Sequence, residues 1–380
     1  MQGENQMRFC TKCVQPDTRP GITFDENGVC SPCRYAASYP VVDWDARQAE
    51  LKGILALAKK NKTSVYDCTI GVSGGKDSTF ISCYVKEKLG LRPLLVNYQG
   101  PDMTEVGKHN LKNLQDQGFD CIMIKPDPLI QLKTIKRSFY EFGNLIKPSE
   151  YPLKTSYLKI AMAFDIRLNF VGENAALTLG DSRQTADQLG GDASGNADGN
   201  TVRGGNAADW VGDGIILDDL FWYQHPRKEE LNKLNLRTIY LGYYVKEYSQ
   251  IGNAEFSVKR GLKGRTAPAE ETGRYKPYSC VDDDSQIVNQ MLKYIKYGFG
   301  QITDEVGYDI REGRITRKEG IELVRKYDGK CHPRYIDQFC KDIGITVDEF
   351  WMVANSFRGP MWKKDSKGEW VFKNPIWEEK

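Results

Sequence analysis

From Val65 the chain reads VYDCTIGVSGGKDSTFISCYVKEKLG. Val65 to Val72 is β-rich and apolar, Ser73-Gly74-Gly75 reads as a tight turn, and Lys76 to Leu89 as a helix with Phe80, Ile81, Tyr84 and Val85 free to pack. No other stretch constrains the fold as strongly. Strand, glycine turn and helix N-terminus bring unpaired backbone amides and the positive helix end to one spot, which suits phosphate. The ordinary phosphate loop G-x-x-x-x-G-K-[ST] does not fit. Ile70 stands where its first glycine belongs, and Asp77 replaces the Ser or Thr after the lysine.

The flanking pattern predicts an α/β fold built on an open parallel sheet. Leu94–Val96, Cys121–Ile124, Leu168–Val171 and Leu236–Leu241 read as strands; Thr104–Leu114, Leu129–Phe142 and Leu153–Phe164 read as helices. In such sheets ligands sit beyond the carboxyl ends of the strands. Asn97, the Gly172-Glu173-Asn174 strand end and the turn at Gly242-Tyr243-Tyr244 are therefore expected to line the site.

Ten cysteines stand against three histidines, His109, His225 and His332. Chemistry here is expected to rest on backbone, hydroxyl, carboxylate, lysine or thiolate groups. Cys10, Cys13, Cys30 and Cys33 write C-x2-C-x16-C-x2-C, two knuckles able to place four thiolates at the corners of a tetrahedron. Structural zinc is the expected occupant, and the same four sulfurs also serve an iron centre. Cys68 and Cys83 fall in apolar runs and read as core, while Cys280, Cys331 and Cys340 stand alone.

The 380 residues suggest two or three domains, divided here as 1–45, 46–280 and 281–380. A formal charge of +2 argues against a chain that grips nucleic acid or anionic membrane through a global basic field. With no apolar run of membrane-spanning length and no basic-then-apolar leader pattern, a cytoplasmic protein with no membrane span is expected.

Ser73-Gly74-Gly75-Lys76-Asp77-Ser78 resembles the signature of the ATP pyrophosphatases, the PP-loop enzymes. That resemblance implies binding of ATP and Mg2+. Ser73, Gly74, Gly75 and Ser78 would cradle pyrophosphate, Lys76 would add positive charge, and Asp77 would help place magnesium. Gly172, Asn174 and Asn97 join the nucleotide-binding set, and Lys76, Asp77 and Glu173 are the candidate catalytic groups. Further phrases resemble one branch, the N-acetyl sugar amidotransferases of bacterial surface polysaccharides, and most closely its lipopolysaccharide O-antigen members. These phrases are FCTKCVQPDTRPG from Phe9, GEN at 172–174, LGYY at 241–244, LKYIKYGFG from Leu292 and KYDG from Lys326. The resemblance implies a PP-loop domain between an N-terminal zinc ribbon and a C-terminal helical region. It also implies an ATP-dependent reaction that turns the acetamido group of a nucleotide-linked diacetamido sugar into an acetamidino group. None of the ten cysteines has the glycine spacing of an elbow-type glutaminase, so ammonia is expected from separate glutaminase and cyclase-like subunits. A tRNA-modifying PP-loop thiolation enzyme is the alternative. The lone cysteines and the small net charge weigh against it. A ribbon scaffold that binds nucleotide as a switch is a third possibility, disfavoured by the intact Lys76, Asp77 and Ser78.

Three segments read less directly. Between Gly180 and Gly214 nine of 35 residues are glycine, where average usage predicts about two or three, and six aspartates accompany them. The expectation is a long loop, either plain connection or a lid. Residues 253–284 mix basic groups with Asp282-Asp283-Asp284, suiting either a diphosphate-binding loop or a hinge. The last hundred residues carry helical periodicity, with capping boxes at Thr316/Glu319 and Thr346/Glu349. The tail around Asp365-Ser366-Lys367-Gly368 suits a hairpin or a partner contact.

Overall fold

The computed structural model describes residues 7–60, 62–172, 178–180, 191, 193 and 206–378. The centre is a five-stranded sheet in the order β3-β2-β1-β4-β5, comprising β1 (Cys68–Gly71), β2 (Pro93–Tyr98), β3 (Asp120–Ile124), β4 (Leu168–Val171) and β5 (Arg237–Tyr240). Every pairing is parallel. The α/β class and the parallel sheet are as the sequence predicts. β1 starts at Cys68 rather than Val65, because Ser64–Tyr66 bends and leaves Val65 exposed.

Strand alternation sorts the side chains into two apolar layers. Cys68, Ile70 and Leu95 point into one, with α2 (Trp44–Lys60), α3 (Lys76–Glu87) and α4 (Glu105–Asp116). Leu94 and Val96 point into the other, against Tyr157, Leu158 and Ala161 of α6 (Lys147–Ala163). In the middle a buried polar row crosses three strands: Thr69 donates to the Asn169 side chain, and Asn169 Nδ2 donates to Thr238 Oγ1 at 3.1 Å.

The C-terminal helices Ser285–Tyr297, Pro333–Ile343 and Val347–Ser356 close over α5 (Pro128–Phe142). Their shared layer contains Ile287, Leu292, Ile336 and Phe350, with Phe139 of α5 stacked on Phe350 at 5.2 Å. Each large apolar side chain buried this fully is worth about 1.5–3 kcal/mol relative to exposure. Thr316 and Glu319 form a reciprocal capping box, and Thr346 accepts the Glu349 N–H at 3.1 Å. The tail is a hairpin of β6 (Trp362–Lys364) and β7 (Trp370–Phe372), turning at Asp365–Gly368, with Trp362 stacked on Phe372 at 4.1 Å.

The N-terminal segment does not stand apart. It docks on the C-terminal helices, 280 residues further along the chain. Asp304 accepts from Gln15 Nε2 (2.9 Å), pairs with Arg19, and pairs on its other oxygen with Lys293 (2.8 Å). Arg317 Nε donates to the Cys13 carbonyl at 3.0 Å, and Arg19 lies over the Phe299 ring.

Candidate functional site

The sheet order reverses direction between β1 and β4: β2 and β3 extend to one side of β1, β4 and β5 to the other. The carboxyl ends of β1 and β4 thus bound the crevice where open α/β sheets take ligands. Ser73–Ser78 leaves β1 at this crevice and enters α3, with Gly75 as N-cap. Gly74 has φ +80, and a Cβ there would come within 3.0 Å of Leu111 N in α4, so only glycine keeps the turn against that helix. Ser73 Oγ accepts the Gly75 N–H (3.3 Å) and Ser78 Oγ donates to the Gly75 carbonyl (3.1 Å). The turn therefore holds its shape with its own side chains.

Lys76 is buried, and its ammonium donates to Asp77 and to Gln250 Oε1 at 2.5 Å. Asn253 Nδ2 holds the other Asp77 oxygen at 2.8 Å, and Ser257 Oγ donates to the Lys76 carbonyl at 2.8 Å. Gln250, Asn253 and Ser257 lie one turn apart along the helix Gln250–Val258, capped by Ser249 and packed on α3 through Phe80 and Phe256. Sequence reasoning missed these three residues. Ser249 before an apolar Ile251, Ala254 and Phe256 was the signal that a helix begins there.

Asn97 sits at the end of β2, fully buried, with Nδ2 donating to the Val72 carbonyl at 2.7 Å and Oδ1 buried without a hydrogen-bond partner. It braces the chain as it leaves β1 for the turn. Gly172 closes β4, its carbonyl accepting from Gly242 N at 3.3 Å. A Cβ on Gly172 or Gly242 would come within about 3 Å of Tyr248, whose ring lies over both strand ends. The expected turn at Gly242 is a single helical turn, Leu241–Tyr244. Glu173 and Asn174, and most of the Gly/Asp-rich stretch, lie outside the described residues.

Three of the basic groups of 253–284 are held by acidic partners. Arg260 forks onto Glu87 (2.7 and 2.8 Å), Arg265 pairs with Asp284, and Lys276 pairs with Asp309 at 2.5 Å.

The four N-terminal cysteines converge. All four sulfurs lie within 4.8 Å of one another and are buried, with Cys13–Cys30 at 3.6 Å and Cys10–Cys33 at 3.9 Å. Four thiolates about 2.3 Å from one tetrahedral ion stand about 3.8 Å apart, so the cage fits a single metal ion. The N–H groups of Lys12, Cys13 and Cys30 point at Cys10 Sγ (3.3–3.5 Å), bonds that favour the thiolate. Hydrogen bonds from Cys13 first, then Cys30 and Cys33, push the Cys10 thiol far down. The same contacts, Cys10 foremost, push Cys30 up. Four thiols this close do not all ionise on their own, and a central cation is the group that lets them.

Residues 272–376 match the family model of the LPS biosynthesis protein WbpG-like C-terminal domain. An uncharacterized protein of Methanocaldococcus jannaschii, MJ1599, is 30% identical over 106 residues, 28% of this chain, which spans only 38% of that relative. Two solved structures align at low similarity. The U34-tRNA thiolase NcsA of Methanococcus maripaludis, with its [4Fe-4S] cluster, is 13% identical over 80% of this chain and 86% of its own (TM-score 0.33). An NMN synthetase of Francisella tularensis is 14% identical over 60% of this chain and 99% of its own (TM-score 0.27). Among the described residues no helix is long and apolar enough to cross a membrane. The chain thus joins a Ser73–Ser78 loop at the end of β1 of a 3-2-1-4-5 parallel sheet to a C-terminal region, residues 272–376, that is similar to the WbpG-like C-terminal domain.

Proposed function

We propose that the protein is an ATP-dependent amidotransferase that acts on a nucleotide-linked N-acetyl sugar in lipopolysaccharide O-antigen synthesis. The observation that carries this reading is the pairing, in one chain, of the braced Ser73–Ser78 turn with a domain of the LPS-biosynthesis type. Amides of the turn and Ser78 bind the β- and γ-phosphates of ATP, and Lys76 moves from its bonds with Asp77 and Gln250 onto the phosphates. Asp77, oriented by Asn253, would hold Mg2+, which supplies charge neutralisation at the leaving pyrophosphate.

An amide carbonyl is a weak electrophile with a poor leaving group. In the proposed reaction the acetamido oxygen attacks the α-phosphorus and the bond to pyrophosphate breaks, leaving an O-adenylated imidate. Ammonia adds at its carbon, the C–O bond breaks, AMP leaves with the original oxygen, and one proton is lost to give the acetamidine. Ammonia comes from separate glutaminase and cyclase-like subunits. The four-cysteine cage takes zinc, a closed site with no open position, and so contributes structure rather than chemistry. Glu173 and Asn174 are assigned to the same crevice from the sequence.

The deciding experiment supplies ATP, Mg2+, ammonium and a diacetamido nucleotide sugar to the purified chain. The expected products are AMP, pyrophosphate and a sugar in which NH replaces O. AMP formation that requires tRNA and a sulfur donor instead would overturn the reading.

A further inference from the structure

Beyond the carboxyl ends of β4 and β5, beside the loop, lies a cavity of about 440 Å3, within the range of small-molecule sites. Its walls come from three separate parts of the chain. Tyr35 and Tyr39 belong to α1 (Ser31–Ser38) and the turn that follows it, Tyr243 and Tyr248 follow β5, and Tyr308 belongs to the helix Gln301–Arg311. Five phenol rings around one cavity offer faces for a flat ring. Two cations share the lining. Arg311 donates Nη2 to the Thr178 carbonyl at 3.2 Å and lies over the Tyr308 ring at 4.9 Å. Lys246 is exposed and forms no ion pair among the described residues. Gln250, which accepts from Lys76, is part of the lining as well.

We infer that this cavity binds a nucleoside diphosphate, with the base among the tyrosines, the phosphates on Lys246 and Arg311, and the attached group directed past Gln250 toward the loop. The inference rests on the loop as the ATP site and assigns the acceptor's place beside it. Three of the basic groups of 253–284, Arg260, Arg265 and Lys276, are committed to Glu87, Asp284 and Asp309, and none of the six lines this cavity. Two acidic side chains, Glu247 and Glu312, stand near Lys246 and Arg311 in the chain, and Glu312 itself lines the cavity. Such charges oppose a long polyanion and favour a small ligand over RNA. The cavity also explains what the cysteine cage is for. Cys30 caps α1 and Cys33 lies within it, so the metal centre fixes the helix that contributes Pro32, Tyr35 and Ala36 to the wall.

The test is equilibrium binding to the full chain of UDP, GDP, dTDP and a short RNA oligonucleotide, with ATP–Mg2+ titrated separately. Wild type is expected to bind at least one diphosphate. Lys246→Glu, a surface change, and Tyr39→Ala are each expected to weaken that diphosphate by about tenfold or more and to leave ATP affinity unchanged. Absence of diphosphate binding in the wild type overturns the inference, and so does binding of RNA alone. Equal weakening of ATP in the two variants overturns it as well, by making the cavity the adenosine site. In every case the ATP–Mg2+ titration, which needs no acceptor, reports on the loop independently.

Discussion

The two junctions that hold the C-terminal helices are built differently. Toward α5 the contact is apolar and stacked, with Phe139 between Phe339 and Phe350. Toward the N-terminal ribbon it is ionic and directional, with Asp304 shared by Gln15, Arg19 and Lys293. Apolar burial is indifferent to orientation and tolerates repacking. A carboxylate held by two cations and an amide accepts one pose only, since any displacement leaves buried charge uncompensated. The first junction joins the halves of the body; the second sets the angle at which the ribbon, and with it α1, meets the crevice.

Three variants probe that difference, and a fourth, at Asp282, sets a buried carboxyl outside both junctions beside them. Cys10→Ser has the largest expected effect, removing one of four ligands and unfolding the ribbon. Apparent binding energies of structural zinc are about 10–16 kcal/mol in small domains, so metal content should fall to zero and the segment 7–40 should become protease-sensitive. A ribbon that keeps its metal and its protection would show that the docking alone suffices. Asp304→Asn leaves Arg19 and Lys293 unpaired and is expected to cost about 3–5 kcal/mol by denaturant unfolding. A cost below that of Phe139→Leu would reverse the comparison.

Asp282 is next. Burial first, and then the neighbouring Asp283, raise its carboxyl to about 6. Because the folded state favours the protonated form, this contribution to stability is full below the unfolded value and is lost as pH rises through about 6. Asp282→Asn should therefore stabilise the protein above pH 6, by at most about 3 kcal/mol, and do nothing near pH 3. Melting temperatures across that window check it, and parallel curves for variant and wild type would refute it. Phe139→Leu should cost least, about 1.5 kcal/mol or less, with the melting transition still single. On the catalytic side Asp77→Ala should reduce AMP formation by about 10²-fold or more while the melting temperature holds, an effect measured on a separate scale from the other four.

What could be read from the sequence was what is local in it. The Ser73–Ser78 turn, the flanking strand and helix, and the cysteine pairs each lie within a few residues and obey short-range rules of dihedral and spacing. Gln250 and Asn253 meet Lys76 and Asp77 across more than 170 positions, and Gln15 meets Asp304 across 289. No periodicity announces such contacts. Arg260 and Lys276 looked available because their partners Glu87 and Asp309 are remote in sequence. Asn97 was singled out by its place at a strand end, yet whether a buried amide faces ligand or backbone depends on where the Val72 carbonyl lies.

The polar row Thr69, Asn169 and Thr238 has a bearing on all of this. These residues are direct partners in the parallel pairing of β1, β4 and β5. A slip of one residue would swing the Asn169 amide to the opposite face of the sheet, among Ile70, Leu95 and Ile239, where it would find no oxygen. The row acts as a vernier, keeping the last residues of the three strands level. The Ser73–Ser78 turn after β1, the Gly172 end of β4 and the tyrosines after β5 consequently open at one height, and a ligand spanning them would meet a single floor.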